Sequence, residues 1–227
     1  MTTPLAPLPL ELPGVPAPLL PLLARCSGAA RIALVGGAVR DLLLHRLHND
    51  PWRGLPDLDL VVEGDGTDQP PAALRLVQAL EGVAGLTLRD WHAHGAYGTV
   101  ELELELQPSL LSPGAAPSPA GATDGPPETK DGPPEAAVIL LDVATARRED
   151  YPVAAENPQV RFGCLEDDLA RRDFTINAMA LLLGERLHLL DPHGGQADLG
   201  RRQLRFLHPG SVRDDPTRLL RASRYVA

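Results

Sequence analysis

Hydrophobic positions change period several times along the 227 residues, and each change marks an element. The run Ile32-Ala33-Leu34-Val35 is a short apolar stretch of strand type that ends at Gly36-Gly37. Val39, Leu42, Leu43 and Leu47 then recur at helical spacing and predict a helix over 38–47. A second strand is predicted over 58–62 and a helix over 74–80. Within 96–106, Val100, Leu102, Leu104 and Leu106 alternate with Glu101, Glu103 and Glu105. Successive strand side chains point to opposite faces, so this is a strand with one wet face. Val138 to Val143 reads as a buried strand and His188 to Leu190 as a short one, with helices expected near 19–25, at 165–170, at 174–183 and from 216 onward. Strands and helices interleave with no internal repeat, which places the chain in the α/β or mixed α+β class.

Composition alters this picture in two places. Seven of the 24 prolines fall in residues 1–21 and eight in 108–134. Residues 1–27 therefore read as a Pro-rich segment, polyproline-like apart from its short helix. Residues 108–136, rich in Pro, Gly, Ala and Ser, read as a disordered insertion between two strands, because they carry too little apolar surface to form a core element. No run of about eighteen apolar residues escapes proline or charge, and no basic residue precedes Arg25, which argues against a membrane span and a signal peptide. The expectation is a soluble cytoplasmic protein without a membrane partner, with Cys26 and Cys164 reduced and buried.

The formal charge of −9 disfavours a protein that wraps nucleic acid through bulk positive potential. The charge is uneven, however: residues 1–160 carry a net −11 and residues 161–227 a net +2. Contacts to phosphate are expected mainly from the second part.

Candidate chemistry sits in four stretches. Gly36-Gly37-Ala38-Val39-Arg40-Asp41 joins a strand to a helix; glycines let a bound group approach the backbone, the helix start attracts anions, and Arg40 can grip a phosphate bidentately. A tight turn followed by surface charges explains the same residues. Asp57 and Asp59, two apart on a strand, share a face, and carboxylates that converge repel unless a cation joins them. Oxygen-only ligation suits Mg²⁺, which also holds substrate phosphates, whereas a wet strand edge needs no metal. Residues 166–180 crowd Arg171, Arg172 and Asn177 around one junction, where Asp173 can cap the next helix. Asp215 and Pro216 signal a helix start, after which Arg218, Arg221 and Arg224 recur every three residues and could line a phosphate or RNA groove or simply an exposed basic face. His92 and His94 lack an accompanying ligand cluster and read as surface or structural histidines, and Trp52 and Trp91 as packing residues.

In this order, these stretches resemble the class II nucleotidyltransferase head shared by CCA-adding tRNA nucleotidyltransferases and bacterial poly(A) polymerases. The matching pieces also include Asp142-Val143-Ala144-Thr145-Ala146-Arg147 with Glu149 and Tyr151, Arg171 to Ala178, Asp191-Pro192-His193-Gly194-Gly195 with Asp198-Leu199, and Asp215 to Arg224. The resemblance implies a nucleotidyltransferase fold, a small mixed sheet flanked by helices, with a head over 28–208 and the start of a helical neck over 209–227. It implies that Asp57 and Asp59 bind catalytic Mg²⁺, with Asp142 either a third carboxylate or a support for Arg147. By the family's motifs, Gly36, Gly37 and Arg40 would meet the triphosphate, and Arg172, Asp215, Arg218, Arg221 and Arg224 would complete the nucleotide pocket. The implied activity transfers CMP and AMP from CTP and ATP to a tRNA 3′ end. Polyadenylation of RNA 3′ ends and a non-catalytic nucleotide-binding subunit are the alternatives. The sequence departs from the family where Pro56 precedes the carboxylate pair, and it stops at Ala227 inside the helix leading to the neck. The expectation is therefore of a piece, or of a chain whose neck and body come from a partner.

Overall fold

The computed structural model describes residues 12–52, 54–55, 57–64, 70–95, 97–111 and 136–226. Residues 1–11, Pro56 and most of the 108–136 insertion lie outside the described residues. The described part of the Pro-rich segment holds α1 (Leu19–Cys26), whose Leu19, Leu20, Leu22 and Leu23 are buried in the main core. That core thus takes in residues N-terminal to position 28.

Strands β1 (Ile32–Val35), β2 (Asp57–Val62), β3 (Leu86–His94), β4 (Thr99–Leu106), β5 (Ala137–Thr145), β8 (Ala180–Leu182) and β9 (His188–Leu190) form one sheet in the order β3-β4-β5-β2-β1-β8-β9. The β2–β5 pair is parallel and the other pairs are antiparallel, so the sheet is mixed, in the class read from the sequence. A two-stranded sheet of β6 (Arg147–Asp150) and β7 (Gln159–Phe162) stands apart. The alternation in β4 appears as expected, with Val100, Leu102, Leu104 and Leu106 buried. Together with Leu58 and Leu60 from β2 and Leu141 and Val143 from β5, these residues meet the apolar sides of α1, α2 (Gly37–His48) and α3 (Ala72–Glu81) in one cluster.

Several expectations need correction. The helix read over 174–183 is a single 3-10 turn, η1 (Thr175–Asn177), followed by β8, which pairs with β1 on one side and β9 on the other. An apolar run buried on both faces of a sheet carries no period that separates it from a buried helix. β5 is not buried throughout: Val138 and Leu140 are exposed, at 46% and 52%. Leu47, in the last turn of α2, is 41% exposed. Cys26 and Cys164 are free and partly exposed rather than buried. The insertion opens with a helical turn, α4 (Pro108–Leu111), whose Leu111 packs on the core. No described helix is long and apolar enough to cross a membrane.

The remaining helices shape the site. α5 (Leu165–Ala170) leads into the η1 junction, α6 (Gly195–Gly200) packs against η1, and α7 (Ser211–Asp214) precedes α8 (Thr217–Val226).

Candidate functional site

Backbone register brings carboxylates from three strands into one row. Asp59 of β2 pairs with Asp142 of β5, and Asp142 pairs with Glu101 of β4. Asp57, two residues before Asp59, faces the same way. Such proximity has an electrostatic cost. Burial raises the Asp59 carboxyl above its ordinary range, Arg172 pulls it back, and the charges of Asp57 and Asp142 add to the rise. Asp142 is raised by burial, by Glu101 and by Asp57, against His94. His94 Nε2 lies 3.4 Å from Glu101 Oε1. Among the described residues, Asp57, Asp59 and Asp142 do not gather with all ligand atoms within 4.8 Å of one another, as expected of like charges with no cation between them.

Gly36 sits at the end of β1 with φ +68°, a conformation that favours glycine. A Cβ there would lie 3.0 Å from Asp59 Oδ2 and 3.6 Å from Arg172 Nη1. The glycine turn, the carboxylate row and Arg172 therefore meet at one point. From it opens a cleft of about 580 Å³ whose walls include Gly36, Gly37, Arg40, Asp59, Arg172, Asp215, Arg218 and Arg221. Of the residues singled out from the sequence, Asp57 and Asp142 line a separate depression, Asp142 also lines another together with Asp59 and Arg172, and Arg224 is exposed on α8 and is not part of the cleft wall.

The cleft wall also holds residues that the sequence reading did not select as site residues: Tyr97, Glu149, Tyr151, Arg171, Asp173, Asn177 and Tyr225. Arg40 donates through Nη1 to Asn177 Oδ1 at 3.0 Å, and its guanidinium lies 4.9 Å from the centre of the Tyr225 ring. Asn177 in turn donates to Asp173 Oδ1 at 3.0 Å and to the Tyr225 hydroxyl at 3.2 Å. The crowding of polar residues at 171–177 was the available signal, although capping alone could account for part of it. Asp173 does not cap η1, whose N-cap is Phe174 without a side-chain cap; its Oδ1 accepts from the Phe174 N–H at 2.8 Å.

α8 starts where the Asp215-Pro216 signal placed it: Thr217 N–H donates to Asp215 Oδ1 at 2.9 Å. Arg221 pairs with Asp215 at 2.6 Å. These bonds hold Asp215 below the ordinary carboxylate range against the opposing effect of burial. Arg218 is only 3% exposed. Its Nη2 donates to the Arg171 carbonyl at 3.0 Å, its Nε lies 3.8 Å from Asp215, and its Nη1 has no hydrogen-bond partner among the described residues. A buried guanidinium N–H without an acceptor, in the wall of an arginine-rich cleft, suits an anionic ligand.

A separate group, Glu63, Cys164 and Glu166, could offer ligand atoms to a metal, all within 4.8 Å of one another. Arg31 occupies both carboxylates, at 2.6 Å from Glu63 and 2.8 Å from Glu166.

A mixed sheet thus carries a carboxylate row beside a glycine turn and an arginine-lined cleft. The family model described as Poly A polymerase head domain matches residues 129–205. The chain is 38% identical over 206 residues to the CC-adding tRNA nucleotidyltransferase of Deinococcus radiodurans, covering 89% of this chain and 42% of that one. It is 36% identical over 198 residues to the A-adding tRNA nucleotidyltransferase of Halalkalibacterium halodurans, covering 86% and 35%. A solved CCA-adding enzyme in an apo form superposes with a TM-score of 0.62 at 30% identity, covering 91% of this chain and 38% of that one. Similar structures include CCA-adding enzymes in complex with ATP, with CTP and with tRNA. The chain thus spans less than half the length of these relatives.

Proposed function

We propose that this chain is the catalytic head of an enzyme that transfers CMP and AMP from CTP and ATP to the 3′ end of tRNA, releasing pyrophosphate. The observation that carries this reading is Arg218 Nη1, a buried donor with no partner among the described residues, in a cleft whose walls also include Gly36 and Asp59. An incoming triphosphate satisfies that donor and Arg40, Arg172 and Arg221 together. Relatives named for CC and A addition support tRNA as the acceptor.

Asp57 and Asp59, with Asp142 beside Asp59 in register, form an all-oxygen donor set of the kind Mg²⁺ prefers, and their mutual repulsion is what a dication relieves. When bound, Mg²⁺ in such a site assists attack on the α-phosphate and neutralises charge on the departing pyrophosphate. The arginines orient the triphosphate, while Tyr225 and Asn177 hold Arg40 in place. We assign the head to 28–208 and the start of a helical neck to 209–227.

The test is incorporation of labelled CTP and ATP, with Mg²⁺, into tRNA ending before or within its CCA. Ordered incorporation that disappears in Asp57→Ala is expected; unchanged incorporation in both Asp57→Ala and Asp59→Ala overturns the metal assignment. The family description favours one second reading, polyadenylation, which long homopolymeric A products would reveal.

A further inference from the structure

Behind Arg172 lies a carboxylate that solvent does not reach. Asp168, on α5, has no exposed side-chain surface. Its Oδ1 accepts from Arg171 Nε at 2.9 Å and Nη2 at 2.7 Å, and its Oδ2 accepts from Arg172 Nη2 at 2.9 Å and Nε at 3.3 Å. Each oxygen thus takes the Nε–Nη2 edge of one guanidinium and leaves the Nη1 of each free to act elsewhere. Arg171 Nη1 donates to Glu149 Oε1 at 3.0 Å. Arg172 Nη1 comes to the Gly36 turn beside Asp59.

Two adjacent arginines repel, and without a shared partner each would swing toward solvent. A single buried carboxylate three and four residues earlier on α5 binds both, leaving Arg171 Nη1 for Glu149 and Arg172 Nη1 at the Gly36 turn. Burial opposes ionisation of Asp168, yet the Arg172 and Arg171 guanidiniums hold its carboxyl below the ordinary range, so the cluster carries its charge at neutral pH. An unpaired ion at this depth would be strongly destabilising, which ties the three side chains to one geometry.

We infer that Asp168 is a positioning residue that aims Arg172 at the Gly36–Asp59 corner of the cleft, and so sets the affinity for the nucleotide triphosphate without touching it. The inference rests on the nucleotide site proposed above and adds to it the residue on which the aim of Arg172 depends. Residues that hold a binding group in productive geometry act through that group, so their loss shows no further effect once the group is gone.

The experiment measures ATP affinity of the whole chain by calorimetry with Mg²⁺ and no RNA, in wild type, Asp168→Asn, Arg172→Ala and the double variant, with thermal unfolding of each. Asp168→Asn is expected to weaken ATP binding about tenfold or more, and the double variant to bind no more weakly than Arg172→Ala. In turnover, KM for the nucleotide rises while KM for tRNA stays unchanged. An Asp168→Asn effect of the same size with and without Arg172 overturns the inference, as does an unchanged affinity. If Asp168→Asn does not unfold cooperatively, Asp168→Glu carries the same comparison: it keeps the charge and displaces both guanidiniums, and wild-type affinity in it overturns the inference. Wild-type protein that fails to bind ATP removes the nucleotide-site reading itself; ATP binding indifferent to Asp168 removes only this inference.

Discussion

The two faces of the seven-stranded sheet share one backbone and serve opposite ends. On the inner face, Leu58, Leu60, Leu102, Leu104, Leu141 and Val143 are almost fully buried against α1, α2 and α3. On the outer face, one residue along each strand, stand Asp57, Asp59, Glu101 and Asp142, together with exposed Leu140. The inner face gains free energy from every methylene it hides. The outer face loses free energy by placing carboxylates in register, and it persists because the inner face over-determines the register: a one-residue slip would bury the acids and expose the leucines. Reactive geometry here is thus held by packing a strand's thickness away.

The largest expected effect that separates the faces is on activity. Asp59→Asn should lower nucleotide incorporation by roughly 10³-fold, comparable to removing a principal electrostatic stabiliser of the transition state. Its effect on stability has the opposite sign. Burial, with Asp57 and Asp142 and against Arg172, raises the Asp59 carboxyl, so the folded state takes up its proton more readily than the unfolded state does. Stability contributed by this group therefore rises as pH falls through the raised value, and a penalty remains at pH 7. Neutral Asn removes that penalty, so the metal-free variant should unfold at the same temperature as wild type or higher. A lowered unfolding temperature would mean that Asp59 is structural.

The inner face should behave the other way. Leu104, 0% exposed at the centre of β4, becomes a cavity in Leu104→Ala and should cost about 2–5 kcal/mol, read from urea unfolding. Whatever fraction remains folded should turn over normally. If specific activity per folded molecule fell as far as stability, the two faces would not be separable.

How each face could be read from the sequence follows the same division. The alternation of leucine and glutamate in β4 announced both face and register, because a period of two with one wet side leaves a clear trace. β3 went unseen since Arg89-Asp90-Trp91-His92 breaks alternation, and a bulge between Leu88 and Asp90 shifts its register. β6 and β7 went unseen because four residues each, mostly polar, carry no period. Of the residues that local spacing and resemblance singled out, Asp59, Gly36, Arg40 and Arg172 do line one cleft. Asn177 was flagged only as part of the crowded junction, and Asp168 and Tyr225 were not singled out, because their contacts run across the fold: Tyr225 lies 48 residues from its Asn177 partner. The capping pattern read for Asp173 does not hold, since η1 has Phe174 as its N-cap without a side-chain cap, and Asp173 instead accepts from Asn177 in the cleft wall.

Gly36 joins the two faces and gives an intermediate effect. Its φ of +68° with ψ −137° lies near a region open essentially to glycine alone, where a side chain costs about 1–3 kcal/mol, and a Cβ would press on Asp59 Oδ2 at 3.0 Å. Gly36→Ala should therefore lower the unfolding temperature moderately and weaken ATP binding together. A loss of stability with unchanged ATP affinity would place the nucleotide away from this turn.

The smallest effect lies where the ends of β1 and β2 meet α5, at residues that do not line the cleft. Arg31, just before β1, binds Glu63 after β2 and Glu166 in the first turn of α5, and so ties to the sheet the helix that carries Asp168. Arg31 lowers the Glu166 carboxyl from 4.5 to about 2. A depressed acid contributes stability that is complete above its unfolded value and is lost as pH falls toward the folded one. Glu166→Gln should then be less stable than wild type at pH 7, and the difference should shrink between pH 4.5 and about pH 2. Both partners are more than a third exposed, at 42% and 44%, so solvent screening keeps the gap below about 1 kcal/mol. Urea unfolding of both proteins at pH 7 and pH 3 reads it directly, and a gap independent of pH would show that Glu166 acts through packing rather than through its pairing with Arg31. A rise in wild-type unfolding temperature with added Zn²⁺, absent in Glu166→Gln, would instead mean that Glu63, Cys164 and Glu166 release Arg31 to take up a metal.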